Sequence, residues 1–519
     1  MPEIKSDFPE LDEYLLYLDD QQQLSFLFNE YYIGKFIYSK KCYFQFDKEP
    51  LLWSEVEKDE IIDVLSTWLR NMRRHYTKQR DEMEEDKSIS QDKKKEFNKL
   101  ILSLEKKTMK MNDYNSLLKV MKFFKVRIMD NTFYDKLNRA CPYHLPIKNC
   151  LLIDLRTGKT RVRCKTDYFT YICNAEYTTT KTDFFKKFIS SIMCDNEDNL
   201  KYFQKMLGYT LTGDIAARVF FIWWGFGANG KSIILNLMKE ILGDINYLSV
   251  AKSVFINNGK QSGGPEIVPL KNCRLATFSE TSANDCLNES LIKMITGNDD
   301  ISCRALFKDQ ITFKPICKLI LCTNHKPEFN GNDQANIDRV RFIPFNARFI
   351  DDEQQEVNTS SSRLGTQGVP NEPKNKNEYK KILGIDKIII DKYLNEFFSF
   401  CVDGAIEYYK NEQFNPPKEI EEAQHKYISE KASITNFIND TYEINKVGRI
   451  KKGDIKYHYE QYCKDNNIKQ EKISLIHDYI IKLVGDPIKS SGIYEYKGLQ
   501  KIIYPDEDEE PSIKSDLDL

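Results

Sequence analysis

Apolar residues recur at helical spacing along most of the chain, and the places where that period breaks mark its parts. The sharpest break is Val219-Phe220-Phe221-Ile222-Trp223-Trp224, an uninterrupted apolar, β-branched and aromatic run such as a strand buried on both faces requires. Gly225-Phe226-Gly227-Ala228-Asn229-Gly230-Lys231-Ser232 follows, and helical spacing returns from Ile233 to Glu240. The pattern predicts strand, glycine loop and helix. Two later strand-like runs, Cys273 to Glu280 and Lys318 to Asn324, end in polar residues, and another, Asp338 to Phe345, begins with charged ones. Groups at the carboxyl ends of strands in an open parallel sheet share one crevice, so Ser279, Glu280 and Asn324 are expected beside the glycine loop.

The rest of the pattern gives the surroundings of that core. From about 10 to 70, acidic and aromatic patches alternate, and Trp53 with Ile61, Ile62, Val64, Leu65 and Leu69 predicts a helix with one buried face. Charge dominates from Arg70 to about Thr108; a solvated helix or helical hairpin is the favoured reading, over a basic segment around Tyr76 that touches a phosphate backbone. Between Asn131 and Tyr177 the period shortens, and Ile147 to Thr160 reads as two short strands around Thr157-Gly158. Helices are expected after a cap at Thr182 or Asp183, around Asn199 to Leu211, and from Ile385 to Lys410, ended by Pro416-Pro417. Residues 434–504 read as three helices and a hairpin from Gly492 to Tyr504, a winged helix that serves either DNA or protein contacts, with Lys489, Lys497 and Lys501 available to phosphate.

These signals divide the chain into 1–112, mainly helical; 113–180, a small β-rich domain; 181–350, the core domain; 351–377, a flexible linker; 378–504, helices and winged helix; and 505–519, an acidic disordered tail. The fold class is α/β. A chain of 519 residues exceeds a single core, and 41% hydrophobic residues is globular composition. The formal net charge of -2 conceals charged residues of both signs at 30%, so any nucleic-acid surface must be local. The 13 cysteines form no C-x-x-C pair, which argues against a zinc ribbon or disulfide framework and for free thiols in a reducing compartment. With a charged start and no stretch of membrane-spanning length, a soluble intracellular protein is expected.

The loop supplies the chemistry. Gly225 to Ser232 fits G-x-x-x-x-G-K-[ST], whose glycines let backbone N–H groups converge on phosphate oxygens at a helix N-terminus. Lys231 is expected on the β- and γ-phosphates of ATP, and Ser232 on Mg²⁺. Glu280 is placed to activate the attacking water, or is a surface acid at a strand end. Ser279 stands where many such ATPases carry a second acid, and its hydroxyl would hold Mg²⁺ only weakly, through water. Asn324 is a candidate sensor of the γ-phosphate, or a turn residue before Pro327. Arg339, with Arg341 second, is too far along to reach its own loop; in a ring it could serve a neighbour's phosphate, and otherwise it pairs with Asp338 or Asp333. A helix carrying Lys293 and a hairpin around Lys308-Asp309-Gln310 come between, and Arg304, Lys308 and Lys314 are candidate grips on a phosphate backbone or ordinary surface cations.

The ordered set of phosphate loop, Ser279-Glu280, Lys293-x-x-Thr296-Gly297-x-Asp299, Thr323-Asn324 and Arg341-Phe342-Ile343-Pro344-Phe345 with Arg339 before it resembles superfamily 3 helicases. It is most similar to the helicase half of the primase-helicases of poxviruses, other large DNA viruses and satellite phages. The stretch from Asn149 to Tyr177 resembles the β-rich domain ahead of that helicase, with Cys150 where the family usually has glycine. The resemblance implies a P-loop, AAA+-like core in a hexameric ring that translocates 3′-to-5′ on single-stranded DNA and unwinds forked DNA with ATP and Mg²⁺. It implies DNA engagement or subunit contact for Lys293 and Asp299, a lid for the helix from Ile385, and a viral origin, with action at the host cell's cytoplasmic replication site. No stretch has the acidic constellation of a primase, so a helicase working with a separate primase or polymerase is expected. An ATP-switched DNA-binding assembly factor is the alternative, and a P-loop small-molecule kinase a weaker one.

Overall fold

Residues 11–256, 264–279, 285–305, 309–327, 337–351, 377–466, 470, 472–490 and 492–502 are described in a computed structural model of the chain. They divide between two units, Met1–Glu176 with Ile241–Gly243, and Tyr177–Glu240 with Asp244–Leu519. The linker at 352–376 and the tail from 503 lie outside the described residues.

In the first unit the helices Leu11–Tyr17, Gln21–Tyr31, Lys58–Glu85, Gln91–Met111 and Tyr114–Arg127 share one core, built on Tyr14, Phe28, Leu65, Trp68, Leu104, Val120 and Phe124. That core runs across residue 112. Beside these helices, which dominate the first 112 residues, Phe36–Ser39, Cys42–Asp47 and Leu52–Val56 form a three-stranded antiparallel sheet that the helical expectation did not include. Trp53 belongs to this sheet and not to the helix, which begins at Lys58 behind a capping box made by Glu57 and Glu60. The first hairpin escapes notice because its turn takes positive φ at two lysines, Lys40 (49°) and Lys41 (72°), where Asn-Gly is the usual signal. The charged stretch forms a helical hairpin with paired charges: Arg70 with Asp63 (3.9 Å), Lys78 with Glu82 (3.5 Å) and Arg80 with Asp81 (2.7 Å).

Strands His144–Pro146, Leu151–Asp154 and Thr160–Val162 make a second antiparallel sheet. Its first turn puts Asn149 at φ 57° and Cys150 at φ 58°. The left-handed turn is therefore formed with cysteine where the resembling family has glycine.

The second unit holds a five-stranded parallel sheet of β1 (Phe220–Trp224), β2 (Tyr247–Ser249), β3 (Leu275–Ser279), β4 (Lys318–Thr323) and β5 (Val340–Pro344), in the order β5-β1-β4-β3-β2. β1 and β4 are buried along almost their whole length, as continuous apolar runs in a parallel sheet should be. Thr182 caps the helix Asp183–Ile192 through its hydroxyl. The next helix, Glu197–Thr210, crosses Ile385–Tyr409 so closely that a Cβ on Gly208 would strike the Ala405 backbone, and one on Gly404 the Gln204 backbone.

Lys318 is fully buried at the start of β4. Its Nζ donates to the Thr212 carbonyl and to Ile316 O (3.2 Å), while Arg274 Nη1 donates to Leu211 O (2.7 Å). Two cations thus meet the carbonyls that leave the helix Glu197–Thr210, where the helix dipole favours positive charge. Burial, and then the neighbouring Arg274, push the Lys318 ammonium down to about 7.

At the far end the expected hairpin from Gly492 is instead a single strand, Ile493–Lys501, paired on one side with Ile488–Ser490 and on the other with Tyr442–Lys451. Tyr442–Lys451 shows no clean alternation in sequence because its pairing shifts register between Ile444 and Arg449. Helices Lys452–Asp465 and Ile473–Val484 lie between the strands in the chain. Among the described residues no helix is long and apolar enough to cross a membrane.

Two stability measurements test this account. Above pH 7 the unfolded chain keeps a proton on Lys318, whose ordinary value is 10.5, while the folded chain has shed it, so stability should rise with pH. Relative to Lys318→Met, wild-type unfolding free energy should climb between pH 7 and 9 by up to about 1.4 kcal/mol per pH unit in chemical denaturation. Cys150→Gly should raise unfolding free energy by about 0.5–1 kcal/mol, because glycine adopts the left-handed turn without a Cβ penalty.

Candidate functional site

β1 ends at Trp224, and the chain turns through Gly225 to Gly230 before the helix Lys231–Asn246. The turn is fixed from both neighbouring strands. Gly225 N donates to Thr323 O on β4 (3.2 Å), Phe345 N just after β5 donates to Trp224 O (2.7 Å), and Phe349 N donates to Ala228 O (2.7 Å). A Cβ on Gly225 would meet the Asn229 amide and, at 2.5 Å, Phe345 O. Asn229 itself is buried and donates to that carbonyl (3.3 Å). Gly227 (φ 100°), Ala228 (49°) and Gly230 (86°) curl the backbone into a cradle ahead of the helix.

Lys231 is buried beneath this cradle. Its Nζ donates to Gly225 O (2.7 Å) and to Asn324 Oδ1 (3.3 Å), at the end of β4. It has no carboxylate partner among the described residues. Burial holds the ammonium below the ordinary lysine value. A buried cation that meets only neutral oxygens is a site for an anion.

The structure thus brings together Lys231 and Asn324, which lie far apart in sequence. Ser232 is exposed in the first turn of the helix, and Ser279 closes β3 on the same carboxyl edge, opposite Cys322 in the register. Glu280 and Lys308 lie outside the described residues.

A cavity of about 440 Å³ opens over the loop. Gly227 to Ile233 and Asn324 form its polar side; Phe188, Phe349, Ile382 and Ile385 form an apolar wall. Tyr379 also lines it, its hydroxyl donating to Asp195 Oδ2 (2.7 Å), with Lys381 paired to Asp351 (3.2 Å). Burial, and then the Asp195 carboxylate, hold the Tyr379 phenol above its ordinary value. Sequence reasoning missed this wall. Its residues come from helices and strands on both sides of the core, and nothing in their spacing marks them as a wall; the expected helices after Thr182 and from Ile385 contained Phe188 and Ile385 without showing that they meet.

Arg339 and Arg341 lie elsewhere. Arg339 O accepts from Phe220 N (2.7 Å), which puts Arg339 at the amino-terminal edge of the sheet, about 16 Å along the strands from the loop. Arg341, within β5, donates through Nη1 to Asp338 O (2.7 Å) and Val340 O (2.8 Å). Ile301–Arg304 and Gln310–Phe313 form the expected hairpin, with Ile301, Cys303 and Phe313 buried and Arg304 and Lys314 on the exposed face. Lys293 is half-buried on the helix Glu289–Thr296, and Asp299 is exposed beyond it.

Residues 26–194 match the family described as D5 N terminal like, and residues 223–341 match a family of unknown function (DUF5906). The chain is 30% identical over 267 residues to a candidate helicase of Acanthamoeba polyphaga mimivirus, covering 47% of this chain and 27% of that protein. It is 26% identical over 369 residues to a candidate helicase of Invertebrate iridescent virus 3, covering 63% and 38%. It therefore spans between about a quarter and two fifths of the length of these relatives. A solved structure of the apo NrS-1 C-terminal region aligns with a TM-score of 0.36 at 13% identity, covering 70% of this chain and 83% of that one. By its sequence the chain is similar to candidate helicases of large DNA viruses and to the family described as D5 N terminal like.

Proposed function

We propose that the chain is an ATP-driven replicative DNA helicase of superfamily 3 type, with an AAA+-like phosphate-loop core, acting as a ring on single-stranded and forked DNA. The observation that carries this reading is the Lys231 ammonium, buried under a glycine cradle with no carboxylate partner among the described residues and linked to Asn324 on the neighbouring strand. The site residues fit a nucleoside triphosphate: the cradle has room and N–H groups for phosphate oxygens, and the apolar wall suits a planar base. Bound MgATP supplies the energy of phosphoanhydride cleavage.

The chain's residues then divide the work. Lys231 neutralises phosphate charge and Ser232 offers its hydroxyl to Mg²⁺, with Ser279 a weaker contact. Glu280, following β3, accepts a proton from the attacking water, and Asn324 orients that water against the phosphate. Arg339 serves the loop of the adjacent subunit, with Arg341 as second choice. Lys293, Arg304, Lys308 and Lys314 hold the phosphate backbone of DNA. The C-terminal helices and three-stranded sheet serve as a winged helix. The partners are DNA, further copies of the chain in a hexamer, and a primase or polymerase, at a viral replication site in the host cell.

Unwinding of a forked DNA with ATP tests the proposal. Wild type should displace the strand, and Lys231→Ala and Arg339→Ala should each lower ATP turnover by about 100-fold or more. Mixing the two inactive variants should restore part of the turnover, because an intact Lys231 can then face an intact Arg339 from a neighbour. Hydrolysis by wild type without strand displacement would favour the assembly-factor reading. Failure of the mixed ring to recover would remove Arg339 from its role.

A further inference from the structure

The helix Tyr114–Arg127 in the first unit differs in charge from its neighbours. It carries four cations, Lys119, Lys122, Lys125 and Arg127, and no acid. None of them has an ion-pair partner among the described residues. In the neighbouring hairpin, whose basic segment drew attention in the sequence, Arg70, Lys78 and Arg80 lie within 4 Å of carboxylates on their own helix.

Two of these charges, Lys119 and Lys122, sit on one face. Leu117, Val120, Met121 and Phe124 point into the core. At about 100° per residue, Lys119, Lys122, Phe123 and Val126 fall together on the opposite side, and all four are exposed, Val126 by 69%. Arg127 flanks them, its guanidinium over the exposed ring of Phe26 (5.3 Å) and its Nε donating to Ser25 Oγ (3.2 Å). Like charges at three-residue spacing, as at Lys119 and Lys122, repel along a helix face, and neither has an ion-pair partner among the described residues. Exposed aromatic rings set among such cations offer stacking platforms beside phosphate contacts.

We propose that this face, on Lys119, Lys122, Phe123, Arg127 and Phe26, binds single-stranded DNA outside the ATPase core, the cations taking phosphates and the two rings taking bases. The choice of DNA as occupant rests on the helicase reading above; the positive charge and exposed rings are independent of it. A lipid surface fits less well, since only Phe123 and Val126 give the exposed face an apolar strip and the other apolar residues of the helix are committed to the core.

Anisotropy of labelled oligothymidylate with the full-length chain, without nucleotide and across a salt series, is the test. The Lys119→Glu/Lys122→Glu variant should bind at least tenfold more weakly, with the slope of log affinity against log salt reduced by about 1 to 2. Phe123→Ala should weaken binding about fivefold or more, and Lys122→Arg should bind like wild type. DNA-free ATP turnover should stay unchanged and the thermal midpoint should not fall in any of them, which separates a lost contact from a lost fold. Wild-type affinity and salt slope in the double-glutamate variant would overturn the inference. So would unchanged DNA binding joined to loss of binding to phosphatidylserine vesicles or to a poly-glutamate peptide. If Arg304→Glu/Lys314→Glu alone abolishes DNA binding, the helicase reading survives and this one falls; if wild type binds no DNA, both fall.

Discussion

An ammonium group held out of water, with only neutral oxygens as partners among the described residues, is the constraint on which the second unit turns. Removing the Lys231 charge from solvent costs several kcal/mol, and a backbone carbonyl and an amide oxygen return only part of that. The arrangement is tolerable because the sheet supplies it from two directions. Gly225 continues β1 and Asn324 continues β4, and the pairing of Trp224 with Thr323 brings those two continuations side by side. A slip of one residue between β1 and β4 would carry the Asn324 amide away and leave the cation with the carbonyl alone. The register of the sheet, as much as the glycine loop, therefore builds the site.

The same reasoning explains what was legible in the sequence. β1 and β4 are buried on both faces, so they had to be continuous apolar runs, and a backbone cradle at a helix N-terminus needs glycine at fixed positions. Both constraints leave marks in one dimension. The apolar wall of the cavity leaves none, because Phe188, Phe349 and Ile385 meet only once the sheet and its covering helices have assembled. Nor does the strand order, which interleaves β4 between β1 and β3. The missed strands share a different cause. The hairpin at Lys40-Lys41 turns on residues that carry no turn signal, and Tyr442–Lys451 loses its alternation to a shift in register.

Charge was the least legible property. The segment from Arg70 to Arg80 and the helix Tyr114–Arg127 are both rich in cations, and composition alone favours the first. Folding separates them. Carboxylates on the same helix lie within 4 Å of Arg70, Lys78 and Arg80, whereas the described neighbours of Lys125 and Arg127 on the second helix are aromatic rings and a hydroxyl. A cation over a ring keeps its full charge, whereas a cation against a carboxylate presents little net field. Electrostatic surfaces are thus read from partners and not from counts.

The position of Arg339 bears on more than a single chain. Parallel strands put every carboxyl end on one edge and every amino end on the other, so the Lys231 loop and Arg339 are separated by the length of β1 and β5. No side-chain rotamer spans about 16 Å, and β5 cannot slide without breaking its pairing with β1. If Arg339 is to stabilise charge on a phosphate held by Lys231, the two must come from different copies. A contact that joins the carboxyl edge of one sheet to the amino edge of the next is head-to-tail, and such contacts either close as rings or run on as filaments. An enzyme whose chemistry is completed only across that contact gains activity from closure, since a closed ring leaves no loop without its arginine.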